Sequence, residues 1–164
     1  MFSPRDFLEL ADELVQSPGK FPEATARTVI SRSYYSCFLE TRKELERALL
    51  STPAGTKLSS LIRSRRQQHR LVESLVKAID GPSGMRYSDL RMARSAVDYD
   101  LVDAQVLDEY ITPDNALDLA RRVVADARAF FQRVKWLTED NRVKSRYKSI
   151  DRTIGQFNSN PMFA

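Results

Sequence analysis

Apolar residues recur every three or four positions along most of the chain, which is the period of an amphipathic α-helix. The longest such stripe predicts a helix over 22–50. A second regular stripe ends at Leu137 and predicts a helix that starts near Thr112, a good N-cap, with Pro113 in its first turn. No stretch alternates apolar and polar residues with a period of two, so no sheet is predicted.

Shorter stripes predict three further helices. The first starts at Ser3, where Ser precedes Pro, and ends before Pro18 and Gly19. Another runs from about Ser88 to Val97 or slightly beyond. Helices joined by short loops bury their apolar stripes most simply as an antiparallel bundle, so we expect an all-α bundle of four to five helices.

The remaining helix ends near Asp80 and leaves two interpretations open. It either extends from Leu58 through the basic run, which places Arg65 and His69 on its inner face, or begins near Gln67 after that run. We favour the second interpretation, because two unpaired cationic groups in an apolar stripe would be costly.

Composition excludes several classes of protein. The 164 residues, of which 42% are hydrophobic, suffice for one domain with its own core. No run of about 18 apolar residues predicts a membrane span. The single cysteine, Cys37, lies on an apolar stripe and cannot form an intramolecular disulfide, which fits the cytoplasm. One Cys and one His cannot form a zinc site, and five glycines leave no glycine-rich phosphate loop, so we expect neither metal nor cofactor.

The regularity of the apolar stripes and the distribution of charge both differ along the chain. Residues 1–140 carry the regular stripes, whereas 141–164 have few apolar positions and predict a basic C-terminal tail with room for a short helix, dispensable for folding. Net charge is +4. Residues 63–70 hold four arginines, the only histidine and no acid, and 95–120 hold seven acids and no Lys or Arg. Each run is either a solvated face or a binding surface, for anions and for a protein partner respectively.

Two segments resemble the HEPN family of helical bundles: RTVISRSYYSCF at 27–38 and LRMARSAVDYD at 90–100. The resemblance is to the branch with an Arg-x-Tyr-Tyr helix followed, two helices later, by an Arg-x-x-x-Asp-Tyr segment. His69 also fits that branch, and the resemblance covers roughly residues 5–137.

The resemblance implies a bundle that is usually dimeric. Some members of the family are metal-independent endoribonucleases of toxin–antitoxin, phage-defence or CRISPR-associated systems, and others bind RNA or nucleotides or pair with a small nucleotidyltransferase. Active members carry an Arg followed four to six residues later by a His. Here Arg94 is followed by Asp98 and Tyr99, whereas Arg63 and His69, with five residues between them, have a qualifying spacing.

We therefore expect a homodimer that binds RNA or a nucleotide in a cleft lined by Arg32, His69 and Arg94. The other expected contacts of the ligand are Tyr35, Arg63, Arg65, Arg66, Asp98 and Tyr99. One alternative is an endoribonuclease in which His69 moves the 2′-OH proton and Arg63 or Arg94 stabilises the phosphate. The other is a non-catalytic protein-interaction subunit that uses the acidic run.

Structural roles compete with these functional ones. Arg94 and Asp98 lie four residues apart and can form an ion pair along one helix. Tyr34 lies on the apolar stripe and is expected in the core, and His69 can simply begin a helix.

Overall fold

The computed structural model describes residues 3–50, 52–63, 68–100 and 103–159. Within these ranges the chain forms seven helices and one two-stranded hairpin. The elements are α1 (Pro4–Gln16), α2 (Pro22–Leu49), α3 (Pro53–Arg63), α4 (Gln68–Ile79), α5 (Gly81–Tyr99), β1 (Gln105–Val106), β2 (Glu109–Tyr110), α6 (Ala116–Leu137) and α7 (Asp140–Ser159). The all-α class is confirmed, but the number of helices exceeds the predicted four to five.

Helix α1 begins as predicted. The Ser3 hydroxyl accepts a hydrogen bond from the backbone N–H of Arg5 (3.2 Å), and the Asp6 carboxylate accepts one from the backbone N–H of Ser3 (2.9 Å). This reciprocal capping box satisfies N–H groups that have no partner within the helix.

The long middle helix of the first interpretation is two helices. Helix α4 begins at Gln68, close to the Gln67 of the favoured interpretation, and 53–63 form the separate helix α3. The segment that breaks α2 also starts α3, since the Thr52 hydroxyl accepts a hydrogen bond from the N–H of Gly55 (3.3 Å) and Pro53 occupies the first position. Residues that stop one helix can therefore cap the next.

Two helix starts differ from those predicted. Helix α5 begins at Gly81 instead of Ser88, because the Asp80 carboxylate caps it by accepting hydrogen bonds from the Ser83 N–H (3.1 Å) and hydroxyl (2.6 Å). Helix α6 begins at Ala116, after a turn in which Asn115 accepts a hydrogen bond from the N–H of Thr112 (2.8 Å) and the Thr112 carbonyl accepts one from the N–H of Ala116 (2.9 Å). Thr112 and Pro113 thus lie in a turn before the helix.

The prediction of no sheet is wrong for one short hairpin. Strands β1 and β2 pair antiparallel, with Gln105 opposite Tyr110 and Val106 opposite Glu109. Leu107 (φ 52°) and Asp108 (φ 64°) are both left-handed, as a two-residue type I′ turn requires. Two-residue strands are too short to produce a detectable period-two pattern.

The chain divides into two compact units. Unit 1 comprises Met1–Glu40 and Arg86–Gln132, and unit 2 comprises Thr41–Met85 and Arg133–Ala164, so α2, α5 and α6 each contribute residues to both. In the core of unit 1, the Tyr87 ring lies 5.8 Å from that of Tyr34 and 5.4 Å from that of Phe130. Tyr34 is fully buried, as predicted.

In unit 2, α7 packs against α3 and α4. Helix α7 is longer than the short helix that the sequence suggested, and its Val143, Ile150 and Ile154 are buried. Three buried apolar side chains in a helix of twenty residues give a weak sequence pattern, yet they form the face that packs α7 against α3 and α4. That residues 141–164 are dispensable for folding stays a prediction.

Candidate functional site

Within unit 1, helices α2 and α5 bring Arg94 together with three other predicted site residues. Its Nη2 donates a hydrogen bond to the Tyr35 hydroxyl on α2 (2.9 Å). Its Nε lies 2.6 Å from Oδ2 of Asp98, one turn further along α5. The predicted Arg94–Asp98 ion pair is therefore present, and we call Arg94, Tyr35, Asp98 and Tyr99 the Arg94 cluster.

Two tyrosine rings flank the guanidinium group of Arg94. Its central carbon lies 5.3 Å from the centroid of the Tyr35 ring and 5.2 Å from that of Tyr99. Both distances are within the range of cation–π attraction. Tyr35 is half-buried, whereas Tyr99 is 68% exposed, so the cluster has an aromatic ring open to solvent.

The charge of Arg94 is held firmly. Burial disfavours that charge, but the Asp98 carboxylate, the Tyr35 phenol and the hydrogen bond with Tyr99 outweigh it and raise the pKa of Arg94 above its ordinary value. The Nε of Arg94 is buried, and its short contact with Asp98 is an ion pair. The side chains of Arg94 and Asp98 are only 17% and 26% exposed.

Arg27 holds the end of α5 that carries the cluster. Its Nη1 donates hydrogen bonds to the backbone carbonyls of Val97 (3.2 Å) and Asp100 (2.9 Å), and its Nε donates one to Glu23 (3.1 Å). These carbonyls lie at the C-terminal end of α5, where partners within the helix are missing. Sequence reasoning missed this role, because nothing local to Arg27 indicates a contact seventy residues away.

Arg32 makes its described contact elsewhere. It is exposed, and its guanidinium carbon lies 5.0 Å from the centroid of the Phe7 ring on α1. A different residue of α2 reaches the cluster, since the hydroxyl of Ser31 donates a long hydrogen bond to Asp98 Oδ2 (3.5 Å).

The other predicted site residues belong to unit 2. His69 is half-buried in the first turn of α4. Arg63 is the last residue of α3, but its side chain lies outside the described part of the structure, as do Arg65 and Arg66. That Arg32, His69 and Arg94 line one cleft stays a prediction.

Two reactive side chains of α2 have structural roles. The Cys37 thiol donates a hydrogen bond to the carbonyl of Ala127 (3.3 Å), and complete burial raises the pKa of that thiol, so it stays protonated. Burial also raises the pKa of the Tyr34 phenol, whose oxygen lies 3.5 Å from that of Tyr87. Neither group is available as a nucleophile or base.

The side chains and helices of the described ranges also bear on metals and membranes. No group of three or more His, Cys, Asp or Glu side chains in them is arranged to hold a metal ion. None of their helices has both the length and the apolar character that crossing a membrane would take. Comparison of the chain with family models, with curated proteins and with solved structures yields no match.

Proposed function

We propose that this chain is a HEPN-like helical bundle that binds an unpaired RNA base or a nucleotide at the Arg94 cluster. The observation that carries the proposal is the solvent-exposed Tyr99 ring, which lies over an arginine that Tyr35 and Asp98 hold in place. The resemblance of 27–38 and 90–100 to the HEPN family supports it independently.

The ligand's base would stack on the ring of Tyr99. Stacking of a base on an aromatic side chain is worth about 1–3 kcal/mol and is available to every base. The fixed guanidinium group of Arg94 can donate hydrogen bonds to a phosphate or to a base edge without first losing conformational freedom.

Asp98 determines how the site should respond to salt. Its carboxylate neutralises much of the charge of Arg94, so the cluster attracts phosphate only weakly over distance. Binding here should therefore depend on the aromatic ring far more than on ionic strength.

Replacing Tyr99 with Ala tests the proposal. Calorimetry with a short unstructured RNA and with mononucleotides should show affinity lowered by about 5- to 150-fold, which corresponds to the loss of one stacking contact. Tyr110→Ala is the matched control, because Tyr110 is similarly exposed (61%) but lies on the hairpin. Equal affinities of the two variants, or no binding by the wild type, would refute the proposal.

The same RNA, end-labelled and incubated in EDTA, tests the endoribonuclease alternative. Cleavage that His69→Ala slows by about 10²–10⁴-fold would make that alternative correct. The homodimer implied by the resemblance belongs to the same proposal, and light scattering should then report twice 18.8 kDa.

A further inference from the structure

Helix α7 carries a large share of the net positive charge of this protein. The helix holds five Lys and Arg residues and two Asp, a net charge of +3, whereas the whole chain has a net charge of +4. The other 144 residues are thus nearly balanced. A helix that carries most of the net charge of its chain is a candidate surface for an anionic partner.

Three of the cations form a line on the solvent face of α7. Lys144, Lys148 and Arg152 are spaced four residues apart and are all exposed, whereas Val143, Ile150 and Ile154 lie on the buried face. One turn separates successive members of the line, so they follow one another about 6 Å apart along the helix axis. We call these three residues the cationic stripe.

Carboxylates do little to neutralise the stripe. Within the described residues, no ion pair involves Lys148 or Arg152. Lys144 lies 3.9 Å from Asp140, but both side chains are more than three-quarters exposed, and such a pair contributes little. Asp151, the only acid in 141–159, lies 3.8 Å from Lys57 on α3.

The stripe is presented on a helix that is anchored along its length. At the start of α7, Arg142 lies over the Trp136 ring (3.2 Å to the centroid), and Arg133 also contacts that ring (4.3 Å). Further along, the buried face packs against α3 and α4. A partner would therefore not have to order the helix on binding, which removes one cost of association.

We propose that the cationic stripe binds the phosphate backbone of a nucleic acid, independently of the Arg94 cluster. A line of exposed cations that carboxylates neutralise only weakly matches a regularly charged polyanion, and contacts of these cations with phosphate oxygens would carry no sequence information, which predicts binding without sequence preference. A membrane surface fits less well. Helices that lie on membranes insert an exposed apolar face, whereas the described residues of α7 include no exposed large apolar side chain.

The test compares two variants of the full chain with the same net charge. The first replaces Lys144, Lys148 and Arg152 with Gln. The control makes the same change to Gln at Arg121, Arg122 and Arg128. These exposed arginines of α6 pair with Asp118, Glu109 and Asp12 respectively. Both sets lie at the surface, so circular dichroism and melting should show folded proteins.

Fluorescence anisotropy with labelled single-stranded RNAs of two unrelated sequences then measures the slope of log affinity against log salt concentration. Each cation that contacts phosphate contributes about −0.7 to this slope, so the stripe variant should lose about two units of slope on both RNAs. The control should keep the wild-type slope. Tyr99→Ala should lower affinity without changing the slope, which separates this proposal from the one above.

Three results would overturn the proposal. They are an unchanged slope in the stripe variant, an equal loss of slope in the α6 control, and a wild type that binds neither RNA. Binding only to vesicles that contain phosphatidylserine, abolished in the stripe variant, would assign the surface to a membrane and would also overturn it.

Discussion

The two units of this protein have cores of different chemistry. Among the described residues, all the buried aromatic side chains lie in unit 1, namely Tyr34, Phe38, Tyr87 and Phe130. The large buried side chains of unit 2 are aliphatic, and its aromatic residues Trp136, Tyr147 and Phe157 are only half-buried.

The difference explains where each unit places its polar groups. A buried tyrosine needs a partner for its hydroxyl, so unit 1 contains phenol oxygens in its interior, and Tyr35, next to Tyr34, directs its own phenol to Arg94. In unit 2, the buried acids Glu44 and Glu73 pair with cations of their own helices, Arg47 (2.8 Å) and Lys77 (2.6 Å). Unit 1 therefore fixes a cation by contacts between helices, whereas unit 2 pairs these buried acids within single helices.

Removing one large side chain from each core tests this comparison most strongly. We expect Phe130→Ala to lower the free energy of unfolding by about 3–5 kcal/mol and Ile154→Ala by about 2–5 kcal/mol, because both side chains are fully buried. Urea denaturation measures both. Phe131→Ala is the control for Phe130→Ala. The neighbouring ring of Phe131 is only half-buried, so its removal should lower the free energy of unfolding by less. An unchanged Ile154→Ala would support the dispensable tail that the sequence suggested.

Two glycines of unit 2 test how closely its helices pack. A Cβ on Gly84 would lie 2.6 Å from Lys77 Cα, so Gly84→Ala should cost about 1–3 kcal/mol by forcing α5 away from α4. A Cβ on Gly155 in α7 would meet nothing within 4 Å, so Gly155→Ala should stabilise the helix by up to about 1 kcal/mol. Thermal melts that move in the same direction for both variants would contradict this account.

A smaller effect than that of Gly84→Ala concerns the cap of α5. The Ser83 hydroxyl and N–H hydrogen bonds, with help from Arg133 and Arg142, lower the pKa of Asp80 despite its partial burial. A lowered pKa gives stability that is complete above about pH 5, begins to decline near the unfolded value of about 3.9 and is lost as pH falls through the lower folded value. Asp80→Asn keeps a capping oxygen but not the charge, and Asp80→Ala should cost about 0.5–2 kcal/mol.

Urea unfolding at pH 7 and pH 3 measures this contribution. Wild type should be more stable than Asp80→Asn at pH 7, and the difference should shrink at pH 3, because there Asp80 binds a proton more readily in the unfolded chain than in the folded protein, where its pKa is lowered. A difference that stays constant with pH would show that the charge of Asp80 contributes nothing to folding.

The sequence by itself determined the local features of this protein. The 3.6-residue period identified α2 and placed Tyr34 and Cys37 in the core. The four-residue spacing of Arg94 and Asp98 was enough to predict their ion pair, because helix geometry alone brings them to one face. The excess of charge in 141–164 was also visible, although the cationic stripe needed the position of the buried face.

Tertiary structure decided the contacts between helices. Tyr35 meets Arg94 across 59 residues of sequence, and Arg27 caps α5 across about seventy, so no local pattern could predict either contact. The docking of α7 rests on a few apolar side chains whose value depends on the surface that α3 and α4 provide. Local periodicity follows from the backbone of one helix, whereas such contacts arise only when the packing of several helices is satisfied together.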